Sequence, residues 1–310
     1  MAASSELQGV HQPGPVTVRS ISLPSRLHPR ADRLEAVLNR LKSSQISSPS
    51  VLVPLGAETI QTGLVGLAEL YNCLEELINS PHTQQALLLY ENGKLIEEAL
   101  DGSVTLLDAC GTARDMIFTM KGHVQTLQSA LRRKGVDSRI ESDVHSYLHF
   151  RKKVKRDIVK CLKALKRAES KAAFSPLLDL DHHLSMVVRV LKEASAITIS
   201  IFRALFLFLS LRTMKTNTTR LSLISRLMPM KLLCSTEGQK IVNEVGSVDV
   251  ALSSLPGHLR NNDAKNEVQL ARRMLDTLHL SIDDIENGLD CISRRLVQNR
   301  VSFLNILAQW

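Results

Sequence analysis

Two stretches of this 310-residue chain carry an apolar residue alternately three and four positions apart, and they continue too long for a short helix. From Ile96 through Ala99, Ser103, Leu106, Cys110, Ala113, Ile117, Met120, Val124 and Leu127 to Leu131, ten of eleven places are apolar over five heptads. From Val268 through Ala271, Leu275, Leu278, Ile282, Ile285, Leu289, Ile292, Leu296, Asn299, Phe303 and Ile306 to Trp310, twelve of thirteen are. A 3.5-residue repeat keeps one stripe on one face of an α-helix, so each stretch predicts a helix with a packing seam. The first is about 60 Å long at 1.5 Å per residue. No segment shows the apolar–polar alternation of a strand. The expected fold is therefore all-α, an elongated antiparallel bundle of long heptad-patterned helices.

Turn and cap residues divide the rest. Gly135 closes the first long helix, and Ser138-x-x-Glu141 is a capping box that opens the next, which predicts an αα-hairpin. The second seam runs through Ile140, Val144, Tyr147, Arg151, Val154, Ile158, Cys161, Leu165 and Ala168, broken only by Arg151. A charged residue there fixes register or partner if buried, and is harmless at an edge of the bundle. Ser175-Pro176 interrupts the chain before a third long helix from about Asp181 to Ser210. A polar loop over 211–220 and shorter helical pieces to about Leu255 follow. Upstream, Leu34, Val37, Leu38 and Leu41 mark a short helix over 31–43. Ile60, Leu64, Leu67, Tyr71, Leu74 and Ile78 mark another over 58–79, and Ser80-Pro81 reads as an N-cap with proline at the first helical position. The expected organisation is a disordered regulatory tail over 1–30 and one helical domain over 31–310. Its long helices lie near 94–134, 138–171, 181–210 and 263–309.

The segment LLDACGTARDMI, Leu106 to Ile117, holds a thiol, a hydroxyl, an arginine and two carboxylates. Cys110 and Ala113 fall on the seam, whereas Asp108, Thr112 and Asp115 recur on the outer face. A cysteine nucleophile needs a nearby base and an electropositive, accessible setting, so Cys110 reads as core. The five cysteines, Cys73, Cys110, Cys161, Cys234 and Cys291, lie at least 37 residues apart, which points to reduced thiols in an intracellular compartment. Asp179 to His183, DLDHH, resembles a metal-ligand run, but Asp181 is better placed as an N-cap, and adjacent histidines on a helix diverge by about 100°. No P-loop, G-x-G-x-x-G or G-x-S-x-G occurs, so no catalytic residue, cofactor, metal or small-molecule substrate is expected.

Ala194 to Leu211 is the one run of near-membrane length. It is interrupted by Arg203, whose placement at a bilayer centre costs about 2.5–3.5 kcal/mol. A buried central helix is the expectation, with a membrane span the alternative. No basic head with an apolar run opens the chain, so no secretory signal is expected. The first 31 residues contain one acid, Glu6, several serines and three arginines. Plastid import therefore stays open beside a cytoplasmic, membrane-peripheral location.

Charge is concentrated in one place. The formal net charge is +8, and RKKVKRDIVKCLKALKRAESK, Arg151 to Lys171, holds ten of the 39 basic and two of the 31 acidic residues, which leaves 29 of each sign elsewhere. With Val154, Ile158, Cys161 and Leu165 turned inward, Lys152, Lys153, Lys155, Arg156, Lys160, Lys163, Lys166 and Arg167 form one outward cationic face. Anionic lipid suits such a face. A calmodulin-type partner, or pairing with an acidic helix bearing Asp283, Asp284, Glu286 and Asp290, would also account for it. Nucleic acid is disfavoured because aromatic residues do not interleave with the charges. In the head, Arg19-Ser20-Ile21-Ser22-Leu23-Pro24 matches R-S-x-S-x-P, the pattern read by basophilic kinases and, after phosphorylation of Ser22, by 14-3-3 proteins.

VRSISLPSRLHP, L-x-x-L-Y-x-C-L-x-x-L, P-x-T-Q-Q-A, LLDACGTARDMI, LQSALRRKG, YLHFRKKVKRDI and GLDCISRRLVQNRVSFLNIL together resemble the plant-specific family that includes the Bypass proteins. The resemblance spans nearly the whole chain. It implies a role in plant root and shoot development and brings no catalytic residues with it. Two classes of function stay open: a non-enzymatic helical scaffold, which is expected, and an enzyme whose site assembles only in the fold. The enzyme requires a deep pocket with convergent polar groups, for which extended seams leave little room.

Overall fold

The computed structural model describes residues 29–46, 55–133, 138–173, 182–210, 243–258 and 264–308. Among them the helices are α1 (Pro29–Ile46), α2 (Ala57–Ile78), α3 (Pro81–Leu89), α4 (Lys94–Arg132), α5 (Ser138–Ala173), α6 (His182–Ser210), α7 (Glu244–His258) and α8 (Ala264–Ala308). A 3-10 turn, Tyr90–Gly93, joins α3 to α4, with Gly93 at φ 84°, a left-handed conformation that glycine adopts without strain. No strand occurs among the described residues, and the fold is all-α as the periodicity requires. The Ser80 hydroxyl accepts from the Thr83 amide with Pro81 behind it, the predicted N-cap of α3. The expected cap at Asp181, the turn at Gly135, the loop over 211–220 and residues 1–28 of the tail expected over 1–30 lie outside the described residues, while Pro29 and Arg30 of that tail open α1.

The two longest seams pack on each other. On α4 and α8 the predicted positions from Leu106 to Leu131 and from Ala271 to Leu296 are buried. Partner numbers fall along α8 as they rise along α4. Arg300 meets Ser103, Cys110 meets Leu289, Lys121 meets Asp283 and Glu286, and Gln128 meets Asp276. The pair is therefore antiparallel. Helix α2 lies on the other side of α8 and runs parallel to it, with Leu64 against Gly288 and the Tyr71 carbonyl accepting from Asn299. Helix α5 folds back on α4, where His123 stacks against Phe150.

Helix α6 packs against α1, α2, α3, α4 and α5. It is long and apolar enough to cross a membrane, and 67% of its most apolar stretch is buried inside the bundle. Phe202, Leu205, Phe206, Phe208 and Leu209 are wholly enclosed. A helix apolar all round belongs where neighbours cover every side. Arg203 escapes this core by pairing with Glu169 of α5 at 2.7 Å.

One position differs from the predicted stripe. Cys161 is only half-buried, and Leu162 takes its place in the core with Ile158 and Leu165. A straight α-helix drifts about 20° per heptad from a strict 3.5 repeat, and three heptads past Ile140 that drift favours the next residue.

Helix α8 approaches α2 most closely at Gly288, where an added Cβ would stand 3.0 Å from both Cβ and Cδ1 of Leu64. Gly288→Val should lower stability by roughly 1–3 kcal/mol through overpacking. Gly111→Ala, where an added Cβ meets nothing within 4 Å, should raise it by about 1 kcal/mol through helix propensity. Urea unfolding followed by circular dichroism measures both.

Candidate functional site

The outer face of α5 carries the candidate surface. Lys152, Lys153, Arg156, Lys160, Lys163, Lys166 and Arg167 are exposed and Lys155 is half-buried, while Val154, Ile158, Leu162 and Leu165 point into the core. Lys160 bonds Asp157 one turn away on its own helix at 3.0 Å. Three of the acidic residues of α8 are taken by α4 instead. Asp290 pairs with Arg114 of α4, and Asp283 and Glu286 both hold Lys121 of α4, at 2.8 and 2.6 Å. Those two acceptors raise the Lys121 pKa. Pairing of the α5 face with the acids of α8 is thereby excluded at these residues. Among the described residues no acidic side chain bridges Lys152, Lys153, Arg156, Lys163, Lys166 or Arg167.

Arg151 belongs to the same basic run and does the opposite. It is 3% exposed and grips Asp249 of α7, itself 2% exposed, with Nε at 2.9 Å from one carboxylate oxygen and Nη2 at 3.2 Å from the other. Its Nη1 donates to the Leu209 carbonyl at the end of α6, and the Tyr147 hydroxyl donates to Asp249 at 2.8 Å. Burial and the neighbouring carboxylate push the Tyr147 pKa well up. Asn243 completes the joint by donating to the Phe208 carbonyl at 2.8 Å while its side-chain oxygen caps α7 at the Gly246 amide. The break in the α5 seam is thus a buried polar clamp that fastens α5, α6 and α7. Asp249 escaped sequence reasoning because a single acid in VDVAL carries no spacing that names its partner.

The remaining candidates are structural. Cys110 is wholly buried, its thiol directed at the Leu289 carbonyl, and burial pushes its pKa up to about 11. His183 meets Thr83 Oγ1 at 3.1 Å and stacks edge-on against His82, joining α3 to α6, while Asp179 and Asp181 lie outside the described residues. Arg19, Ser22 and Pro24 also lie outside them.

The seams do leave room for a pocket, contrary to expectation. A cavity of about 380 Å³ opens among α2, α4, α5, α6 and α8, with Leu106, Leu191 and Phe303 in its wall together with Glu98, Asp101, Lys171, Lys192 and Arg300. Among its described lining residues no histidine or cysteine occurs, so no imidazole base faces Ser103 or Ser195.

A family model described as Protein BPS1 matches residues 63–306. The chain belongs to this family. The matched BPS1 span runs from early α2 to nearly the end of α8, and so includes the α5 face, the Arg151 clamp and the pocket walls. No curated protein and no solved structure matches the chain.

Two outcomes test the clamp and the core. Asp249→Ala, which strands Arg151 in the interior, should cost roughly 3–5 kcal/mol in denaturant unfolding. The double variant Arg151→Met with Asp249→Leu should recover most of that loss. In the native protein Cys110 should react with iodoacetamide at least a hundredfold more slowly than a free thiol, because a pKa raised from 9.0 to about 11 lowers the thiolate by about that factor and burial adds to it. Peptide mapping after timed labelling reads the rate.

Proposed function

We propose that this BPS1 family member is a non-enzymatic, cytoplasmic helical scaffold in plant root and shoot development, docked to anionic membrane surfaces by the outer face of α5. The observation that carries the reading is the charge separation just described. Asp283, Glu286 and Asp290 of α8 are taken by α4 and Asp249 is buried against Arg151, while seven basic side chains stand exposed on one side of a rigid helix. From Lys152 to Arg167 the face extends about 22 Å at 1.5 Å per residue. Each basic group near an anionic leaflet contributes about 1 kcal/mol, so a few simultaneous contacts suffice for reversible attachment. Capture of α5 in a calmodulin-type groove is the weaker reading. Such grooves take the apolar face of a helix, and here Val154, Ile158, Leu162 and Leu165 are already committed to the core.

Regulation through Ser22 is part of the proposal. A phosphate there adds about −1.5 to −2 charge and suits an arginine-lined 14-3-3 groove.

Sedimentation with vesicles tests the attachment. The full chain should bind phosphatidylserine-containing vesicles and leave them as salt rises, since screening shortens to about 8 Å at physiological ionic strength. Lys152→Glu, Lys153→Glu, Arg156→Glu and Lys163→Glu together should abolish binding with helicity unchanged. Equal retention on neutral phosphatidylcholine vesicles refutes the electrostatic attachment. A phospho-Ser22 peptide should bind a 14-3-3 protein where the unphosphorylated peptide does not, and equal binding of the two removes the regulatory step.

A further inference from the structure

The pocket exists because three helices place small residues at the same level. Ala99 and Ser103 are consecutive small residues on the α4 seam between Ile96 and Leu106, and Ala168 of α5 and Ala194 and Ser195 of α6 face the same space. Native cores hold few voids larger than a water molecule, and about 380 Å³ lies instead within the range of roughly 300–1,000 Å³ found for ligand sites.

One wall residue is held as a recognition group. Arg300 of α8 donates from Nη1 to both the Leu100 carbonyl and Ser103 Oγ, each at 2.6 Å, so its guanidinium is fixed. Its Nε and Nη2 have no acceptor among the described residues. Two parallel N–H donors on a fixed guanidinium match a carboxylate, which accepts bidentately. The charges of the lining set how much anion fits. Arg300, Lys171 and Lys192 stand in the lining with Glu98 and Asp101, a formal excess of one positive charge that a single carboxylate matches. At about 30 Å³ per water-sized group, the volume takes about a dozen non-hydrogen atoms.

We propose that this pocket binds an apolar monocarboxylate, its carboxylate on the free edge of the Arg300 guanidinium and its apolar body against Leu106, Leu191 and Phe303. The site is separate from the membrane-facing side of α5 and does not depend on it.

The experiment uses the full chain and three ten-carbon probes below their micelle-forming concentrations: decanoate, 1-decanol and decyltrimethylammonium. Calorimetric titration should show saturable decanoate binding at least tenfold tighter than decanol, with the cation weakest. Arg300→Gln should weaken decanoate at least tenfold and leave decanol unchanged. Ala168→Phe, which fills the cavity from α5, should remove both while the helical spectrum is kept. Equal affinity for decanoate and decanol in the unmodified chain overturns the proposal, as does the absence of saturable decanoate binding. This comparison needs no variant to fold. Undiminished decanoate binding by folded Arg300→Gln overturns it too. The variant with Lys152, Lys153, Arg156 and Lys163 reversed should retain decanoate binding while losing vesicles, and loss of both would move the anion site to α5 and overturn the assignment.

Discussion

Where α4 and α8 run antiparallel, buried seam residues from Leu106 to Leu131 meet those from Ala271 to Leu296, and polar contacts on the flanks admit one register. Lys121 bridges Asp283 and Glu286, Gln128 reaches Asp276, and Arg300 reaches the Leu100 carbonyl. A slip of one turn along this seam would separate all of these pairs, and the apolar stripe alone, being periodic, would tolerate it. With α8 fixed on α4, Gly288 lets α2 close on its other side. The Glu244 carboxylate of α7 then accepts from the Ala57 amide at the otherwise uncapped start of α2.

Charge is handled differently on each surface that this frame creates. Across α4 and α8 opposite charges are matched at the rim, where exposed pairs contribute little to stability and more to register. In the interior the Arg151 and Asp249 pair is fully satisfied, by two nitrogens to the carboxylate, a tyrosine hydroxyl and a helix-end carbonyl. Such a pair adds little over a well-packed apolar replacement but specifies which helix docks there. The outer face of α5 follows neither pattern. Lys152 and Arg156, like Lys163 and Arg167, stand four apart with like charge, an arrangement that costs a few tenths of a kcal/mol per pair. Bundle stability gives no reason to keep it, and the proposed attachment to an anionic surface would supply one.

Period, caps and composition carried the fold because each is a local property. The long helices begin and end within about two residues of their expected bounds, and the Ser80 cap holds. What escaped depends on several helices at once. The shift from Cys161 to Leu162 comes from accumulated helical drift, which a fixed heptad frame hides. The partner of Arg151 lies 98 residues away on a helix with no distinctive pattern. The pocket arises where Ala99, Ala168 and Ala194 coincide in space, and each alone reads as an ordinary small residue on a seam.

Helix α6 shows how far composition reaches. Length and apolarity describe a core helix and a bilayer span equally well, and only the surroundings separate them. Here five neighbouring helices cover it, three phenylalanines of its C-terminal half are wholly enclosed, and Thr198 bonds Tyr71 inside the core at 3.1 Å. Its last carbonyls, which in lipid would need partners of their own, are taken by Arg151 and Asn243. Arg203, the residue most awkward for a span, reaches the rim and finds Glu169 there. The bundle thus covers the apolar sides of α6 and gives Arg203 a partner, while Arg189 and Glu193 near its start pair with each other and with Glu35 and Lys42 of α1.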